Sequence, residues 1–201
     1  MKTTLKIGIL SALLVSYTLA GKAQSATPSS PAGGSDKQEW RISVGPEAGI
    51  PLGDFSNVYN WSLGGSVQLD IPVVRNLYVA VTAGYDNFFV KNDFSVKNDQ
   101  TGFPDKNLQL IPVKAGLKYF PTGKLFYVQG EAGVSFLANK SDLEADKSTA
   151  FAYAPQVGVL LKLAEKNYID IGVRFEGNAS FYNGGNYNNS LGLRAAYSFG
   201  L

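Results

Sequence analysis

Residues 168–176 read Tyr168-Ile169-Asp170-Ile171-Gly172-Val173-Arg174-Phe175-Glu176. Ile169, Ile171, Val173 and Phe175 fall on one parity; Asp170, Gly172, Arg174 and Glu176 fall on the other. Successive side chains of an extended chain point to opposite faces, whereas a helix would repeat every three or four residues. The stretch is therefore a strand with one oily and one charged face. Which face lies inside a closed sheet decides the class of protein. Charge inside and oil outside makes a membrane barrel; the reverse makes a soluble one.

The same step-of-two pattern marks seven further stretches, so the strands are expected at Trp40–Pro51, Trp61–Val73, Leu77–Val90, Leu108–Phe120, Leu125–Ala138, Phe151–Leu163, Tyr168–Ser180 and Ser190–Leu201. Their connections alternate in length. Val74-Arg75-Asn76, Pro121–Lys124 and Ala164–Asn167 are tight, while Leu52–Asn60, Lys91–Asn107, Asn139–Ala150 and Phe181–Asn189 are longer and polar. Short turns at one end and long loops at the other, on an even number of strands, are features of outer-membrane barrels. Strands of roughly 11 residues tilted by about 45° rise about 25 Å, the height of the apolar band. The expected fold is all-β, an eight-stranded antiparallel up-and-down transmembrane β-barrel over residues 40–201.

The two stripes carry different chemistry. One runs through Val44, Val67, Val81, Leu117, Val128, Val157, Val173 and Leu193 and is expected to face lipid. The other holds Arg41, Lys114, Lys118, Lys162, Arg174 and Arg194 against Glu47, Asp70, Asp86, Glu131, Asp170 and Glu176, six cations to six anions. Gln68, Gln129, Gln156 and several glycines lie among them. A barrel of ~8 strands has an interior that side chains just fill. Buried charges need partners, so this set is expected to form a self-neutralising plug. Aromatics gather at two levels. Tyr119, Phe126, Tyr168, Tyr197 and Phe199 sit by the short turns or the chain end; Trp61, Tyr85, Phe136, Phe151 and Tyr153 sit by the long loops. Together they are expected to form two interfacial girdles, although ordinary strand packing also accounts for any single aromatic. A soluble lipocalin-like barrel with the apolar stripe inside is the alternative.

Composition agrees with a surface that does not all face water. The 201 residues include 22 Gly, 12 Phe, 11 Tyr and 2 Trp, with only 17% charged, against ~25% in soluble chains. After the N-terminus no apolar run is long enough for a membrane helix. A net charge of +2 gives no reason to invoke nucleic acid. Cysteine and histidine are both absent. Without them the chain has no disulfide, no thiolate metal site, no Ser–His or Asp–His catalytic device and none of the commonest metal ligand.

Residues 1–23 read as a signal peptide: Lys2 and Lys6, a short apolar stretch from Ile7 to Ala20, then small residues before a cut near Gln24. An N-terminal membrane anchor is the alternative, for which the stretch is short. Residues 24–39 (QSATPSSPAGGSDKQE) are rich in Ser, Pro and Gly and are expected to be a flexible periplasmic tail.

The segment Leu108–Tyr119 (LQLIPVKAGLKY) resembles a strand of the small outer-membrane β-barrel domain family of Bacteroidota, often labelled PorT-like, in its Ile-Pro followed by apolar residues and Lys-Tyr. The pairs Gly172-Val173-Arg174 and Gly192-Leu193-Arg194 are similar to the family's late strands. The architecture is similar to that of OmpA-, OmpX- and OmpW-type barrels. Proline in a strand interior normally argues against the strand. The apolar parity also shifts between Leu110 and Val113, so a bulge is expected at Ile111–Pro112. Arg194, Ala196, Phe199 and Leu201 fit the closing pattern of outer-membrane barrels, with alanine in the usual glycine's place and leucine last. The resemblance implies that the barrel-assembly machinery reads this end, that the tail lies in the periplasm and that the long loops lie outside the cell.

Three functional classes remain to be weighed. Catalysis would have to rest on carboxylates such as Asp170 and Glu176, which read more simply as salt-bridge partners. An open aqueous pore needs ~16 strands; a narrow channel or a side exit for apolar molecules, as in OmpW-like proteins, needs fewer. A structural or surface-binding role is preferred, with the barrel as anchor and the loops as contact surface for an unknown ligand, since Tyr and Asn in Phe181–Asn189 suit adaptable contacts. The resemblance also implies a secretion-associated role as an alternative. Asp142, Glu144 and Asp146 either hold a cation or form a solvated acidic loop. No cofactor is expected.

Overall fold

The computed structural model describes residues 38–91, 106–143, 145–182 and 187–201. Residues 1–23, nearly all of the tail, most of Lys91–Asn107, Glu144 and residues 183–186 lie outside the described residues, and with them the signal peptide, the tail and the acidic-loop cation site.

The strands are β1 Arg41–Leu52, β2 Tyr59–Val74, β3 Leu77–Val90, β4 Leu108–Tyr119, β5 Phe126–Leu137, β6 Thr149–Lys162, β7 Asn167–Asn178 and β8 Asn188–Gly200. Each pairs antiparallel with its sequence neighbour, and β1 pairs with β8 to close the barrel. Two short helical turns, α1 Phe55–Val58 and α2 Lys140–Leu143, lie in the first and third long connections. Closure leaves no sheet edge, which is what a sheet crossing lipid requires. The tight turns use residues that tolerate a left-handed backbone, Asn76 at φ 66° and Gly123 at φ 65°.

The facing follows the parity. Val44, Val67, Leu117, Val128, Val157, Val173 and Leu193 are exposed on the outside, and the alternating partners are buried. The expected bulge at Ile111–Pro112 is absent. Ala83 lies opposite Val113 and Asp86 opposite Leu110 in one unchanged register, and the β4–β5 ladder is unbroken from Leu110–Leu137 to Tyr119–Val128. Leu110 faces inward, at 1% exposure, while Ile111 and Val113 both face out. The apparent parity shift arose because Leu108 and Leu110 are apolar residues on the inner face.

Three prolines interrupt ladders rather than registers. Pairing between β3 and β4 is missing around Pro112, between β1 and β8 around Pro46, and between β6 and β7 around Pro155. In each case the register is the same on both sides of the gap. Proline has no N–H to donate, so bonds are lost from one ladder while the other continues. The register shifts among β2 and β3 fall instead at the ends of β2, between Tyr59 and Trp61 and between Pro72 and Val74.

Candidate functional site: the filled lumen

The lumen is filled in three layers. At the long-loop end lies an apolar cap. Phe55 from α1 packs on Tyr59 and Phe88, with ring centroids 4.9 and 5.0 Å apart. Leu108, Leu110, Leu137, Leu143 and Phe181 complete it. The connections therefore turn part of their apolar content into the barrel mouth. Polar loops, as expected from the sequence, would not supply this layer. Leu108 and Leu110, on the inward parity of β4, were the available signal.

Below the cap is an ion-paired waist. The Lys118 ammonium, fully buried, donates to Asp70 Oδ2 at 3.1 Å and Asp170 Oδ2 at 2.8 Å, tying β4 to β2 and β7. Tyr127 donates to Asp170 Oδ1 at 2.6 Å and accepts from Gln156 Nε2 at 2.5 Å. Arg174 donates through Nε to Gln156 Oε1 at 2.7 Å and through Nη1 to Glu47 at 3.1 Å. Arg194 reaches Glu47 Oε1 at 3.2 Å, Ser66 Oγ at 2.9 Å and Ser43 Oγ at 3.0 Å. Thr82 donates to Glu131 Oε1 at 2.6 Å, and Lys114 pairs with Glu176. Three further arginine contacts, Arg41–Asp70 at 3.6 Å, Arg174–Glu131 at 3.7 Å and Arg194–Asp170 at 3.7 Å, are ion pairs too long for hydrogen bonds. Most carboxylates thus face more than one donor, which offsets the desolvation of burying them.

Two glycines make room for this network. A Cβ on Gly158 or Gly172 would run into the Tyr127 hydroxyl. Gly172, at the centre of the charged face of β7, is therefore the space in which Tyr127 meets Gln156. Tyr127, Thr82, Ser43 and Ser66 share the inward parity of the charged stripe, yet the sequence reading singled out none of them.

At the short-turn end an aromatic floor closes the lumen. Tyr78, Phe120, Tyr127 and Leu160 pack together, with Tyr168 against them. The Arg41 guanidinium lies 4.2 Å from the Tyr78 ring centroid and Lys118 Nζ lies 4.1 Å from that of Tyr127, distances of cation–π contact.

Two sequence assignments change here. Lys162, the last residue of β6, is exposed. It has the inward parity, but Leu160 in the floor closes the lumen before the chain reaches it. Among the described residues the lumen therefore holds five cations, Arg41, Lys114, Lys118, Arg174 and Arg194, against six acids. Tyr168 is not a girdle residue: it shares the parity of Asp170 and joins the floor. Of the other nine girdle residues, Trp61, Tyr85, Tyr119, Phe126, Phe136, Phe151 and Tyr197 are exposed, while Tyr153 and Phe199 are half-buried. Trp61 stacks on Phe89 at 4.4 Å. At the chain end Arg194 and Ala196 face the lumen, whereas Phe199 lies on the outward parity.

Asp86 differs from the other five lumen acids. Among the described residues it makes no hydrogen bond or ion pair, and it lines a small cavity with Glu47, Glu176 and Arg174. That cavity has a volume of ≈20 Å³, about enough for one water. On the outer wall a hollow of ≈420 Å³ is lined by Ile50, Trp61, Val173, Leu191 and Leu193. Ala48, Gly49, Ser62 and Gly192 line both spaces.

A closed eight-stranded antiparallel barrel with an apolar outside, aromatic levels at both ends and a filled charged lumen is a small outer-membrane barrel. The chain belongs to the outer membrane protein beta-barrel domain family, whose model matches residues 11–199. Its fold is similar to the crystal structure of the outer membrane protein OprG from Pseudomonas aeruginosa, with 13% identity, a TM-score of 0.51, and 81% of this chain and 95% of that one covered. It is also similar to Neisserial surface protein A, with 14% identity, a TM-score of 0.56, and 81% and 97% covered. At these identities the likeness is one of fold. No curated protein matches the sequence.

Proposed function

We propose that this protein is a closed outer-membrane anchor that holds a surface-binding platform at its long-loop end, with its short turns in the periplasm. The three-layer filling carries this reading. Water crossing the lumen would have to displace Phe55 and Phe181, separate Lys118 from Asp70 and Asp170, and part Tyr78 from Phe120. The same pairing speaks against catalysis, since Asp170 and Glu176 are held by Lys118, Tyr127 and Lys114. The end of β8, through Phe199 and Leu201, is the segment offered to the barrel-assembly machinery. Purified protein in planar bilayers is expected to show no stable conductance step; a steady nanosiemens-scale pore would overturn the anchor reading.

A second reading has one observation in its favour. The outer hollow and the inner cavity share a wall of Ala48, Gly49, Ser62 and Gly192, which suits a side exit for small apolar molecules. Ala48→Trp, which fills the hollow, is expected to lower uptake of a small aliphatic molecule into proteoliposomes under that reading. Under the anchor reading uptake is unchanged.

A further inference from the structure

The short-turn end carries a cation at each turn. Arg75 lies between β2 and β3, Lys124 between β4 and β5, and Lys162 and Lys166 flank the turn from β6 to β7; all four are exposed. Among the described residues, Glu165 in the last turn and Glu39 before β1 are the acids at this end. The four long connections have the opposite balance in sequence, with Asp54, Asp93, Asp99, Asp105, Asp142, Glu144 and Asp146 outnumbering Lys91, Lys97, Lys106, Lys140 and Lys147.

Three of the four cations stand beside large exposed apolar side chains. Val73 and Val74 precede Arg75, Leu125 and Phe126 follow Lys124, and Leu161 and Leu163 enclose Lys162. Val74, Phe126 and Leu163 are each close to 60% exposed, at 58%, 58% and 60%. Such neighbours belong at the edge of a hydrocarbon layer. There the aliphatic stems of lysine and arginine lie along oil while their charged ends reach the headgroups. The turns are also held in place: Phe120 N–H donates to the Asn76 backbone carbonyl at 2.9 Å, and Gly200 N–H donates to the Lys166 backbone carbonyl at 2.7 Å.

We infer that the short-turn end is a docking ring for anionic phospholipid headgroups, with Arg75, Lys124, Lys162 and Lys166 as the phosphate-facing cations. Basic side chains at a membrane boundary attract anionic lipid, and a ring of them around a barrel collects such lipid from its own leaflet. The inference rests on the membrane-spanning reading of the barrel. It also gives Lys162, which lies outside the lumen network, a place of its own.

The test is the selectivity of boundary lipid, measured with spin-labelled phosphatidylglycerol and phosphatidylcholine on the full chain in vesicles. The parent is expected to favour phosphatidylglycerol several-fold. The variant Arg75→Gln/Lys124→Gln/Lys162→Gln/Lys166→Gln is expected to lose that preference, while Lys106→Gln/Lys140→Gln/Lys147→Gln at the other end retains it. Heat-modifiable gel mobility establishes separately that each variant is a folded barrel, so failure of the barrel reading is seen apart from failure of the ring. Equal preference in the parent and the quadruple variant overturns the inference. So does an equal loss in the triple variant, or abolition by inorganic phosphate but not by chloride of the same ionic strength.

Discussion

The waist of the lumen draws inward residues from all eight strands, whereas the cap draws on β2 to β6 and on the connections, and the two are built from opposite materials. In the waist, Lys118 meets Asp70 and Asp170, and Arg174 meets Glu47, while outward residues between them such as Leu117, Ile171 and Val173 are apolar. In the cap, Leu108 and Leu110 point inward while Gln109, Ile111 and Val113 point outward, so polarity no longer marks the face. A barrel wall needs only a lipid-compatible outside. What fills the inside can be ions that satisfy one another or hydrocarbon that excludes water, and this protein stacks one on the other. The ionic layer is directional and holds particular strands together across the lumen. The apolar layer is non-directional and can gather residues from the connections, such as Phe55 and Phe181, that no ladder positions.

That contrast is open to attack in four places. The largest effect is expected at Lys118→Met, which leaves Asp70 and Asp170 without their shared cation. Losing one partner of a buried pair costs about 3–5 kcal/mol, read by urea unfolding in micelles, and Lys118→Met/Asp170→Asn should recover part of it. A loss under ~1 kcal/mol in the single variant, the scale of a surface pair, would show that water reaches the waist. Next is Val173→Arg on the outer wall, which should cost about 2–4 kcal/mol at mid-membrane; a variant that assembles and keeps the parent's heat-modifiable mobility would reverse the facing. Leu110→Ala in the cap should cost about 2–3 kcal/mol, towards the low end of core Leu→Ala changes because residues at the mouth can settle inward. No change in its urea midpoint would return Leu110 to an outward position. The smallest effect belongs to Lys162→Met, within ~0.5 kcal/mol as for an ordinary surface change. A loss as large as that of Lys118→Met would put Lys162 back into the network.

The sequence and the structure part company where contrast between the faces fails. Strand positions are legible to within two residues, because Ile169-Asp170-Ile171 and its counterparts change polarity at every step. The acids and bases of the waist are legible for the same reason. Leu110 misleads because it is as apolar as the outward Ile111 and Val113, so a shift of parity and an inward apolar residue look alike. Lys162 and Tyr168 mislead in a different way. Their parity is plain, but parity says nothing of height along the barrel. Tyr168 packs against the floor that replaces the ions, while Lys162, its partner across the β6–β7 ladder, is exposed.

The sequence by itself determined the number of strands, their ends and which face of each meets lipid, because side-chain alternation is a property of the extended backbone and needs no partner. The tertiary structure decided which layer each inward residue joins. Height along the lumen depends on the registers accumulated around the closed sheet, from Arg41–Asp70 between β1 and β2 to Arg41–Gly200 between β1 and β8. That sum places Lys118 between two carboxylates from distant strands, Leu160 in the floor and Lys162 outside it, and no single strand contains the information.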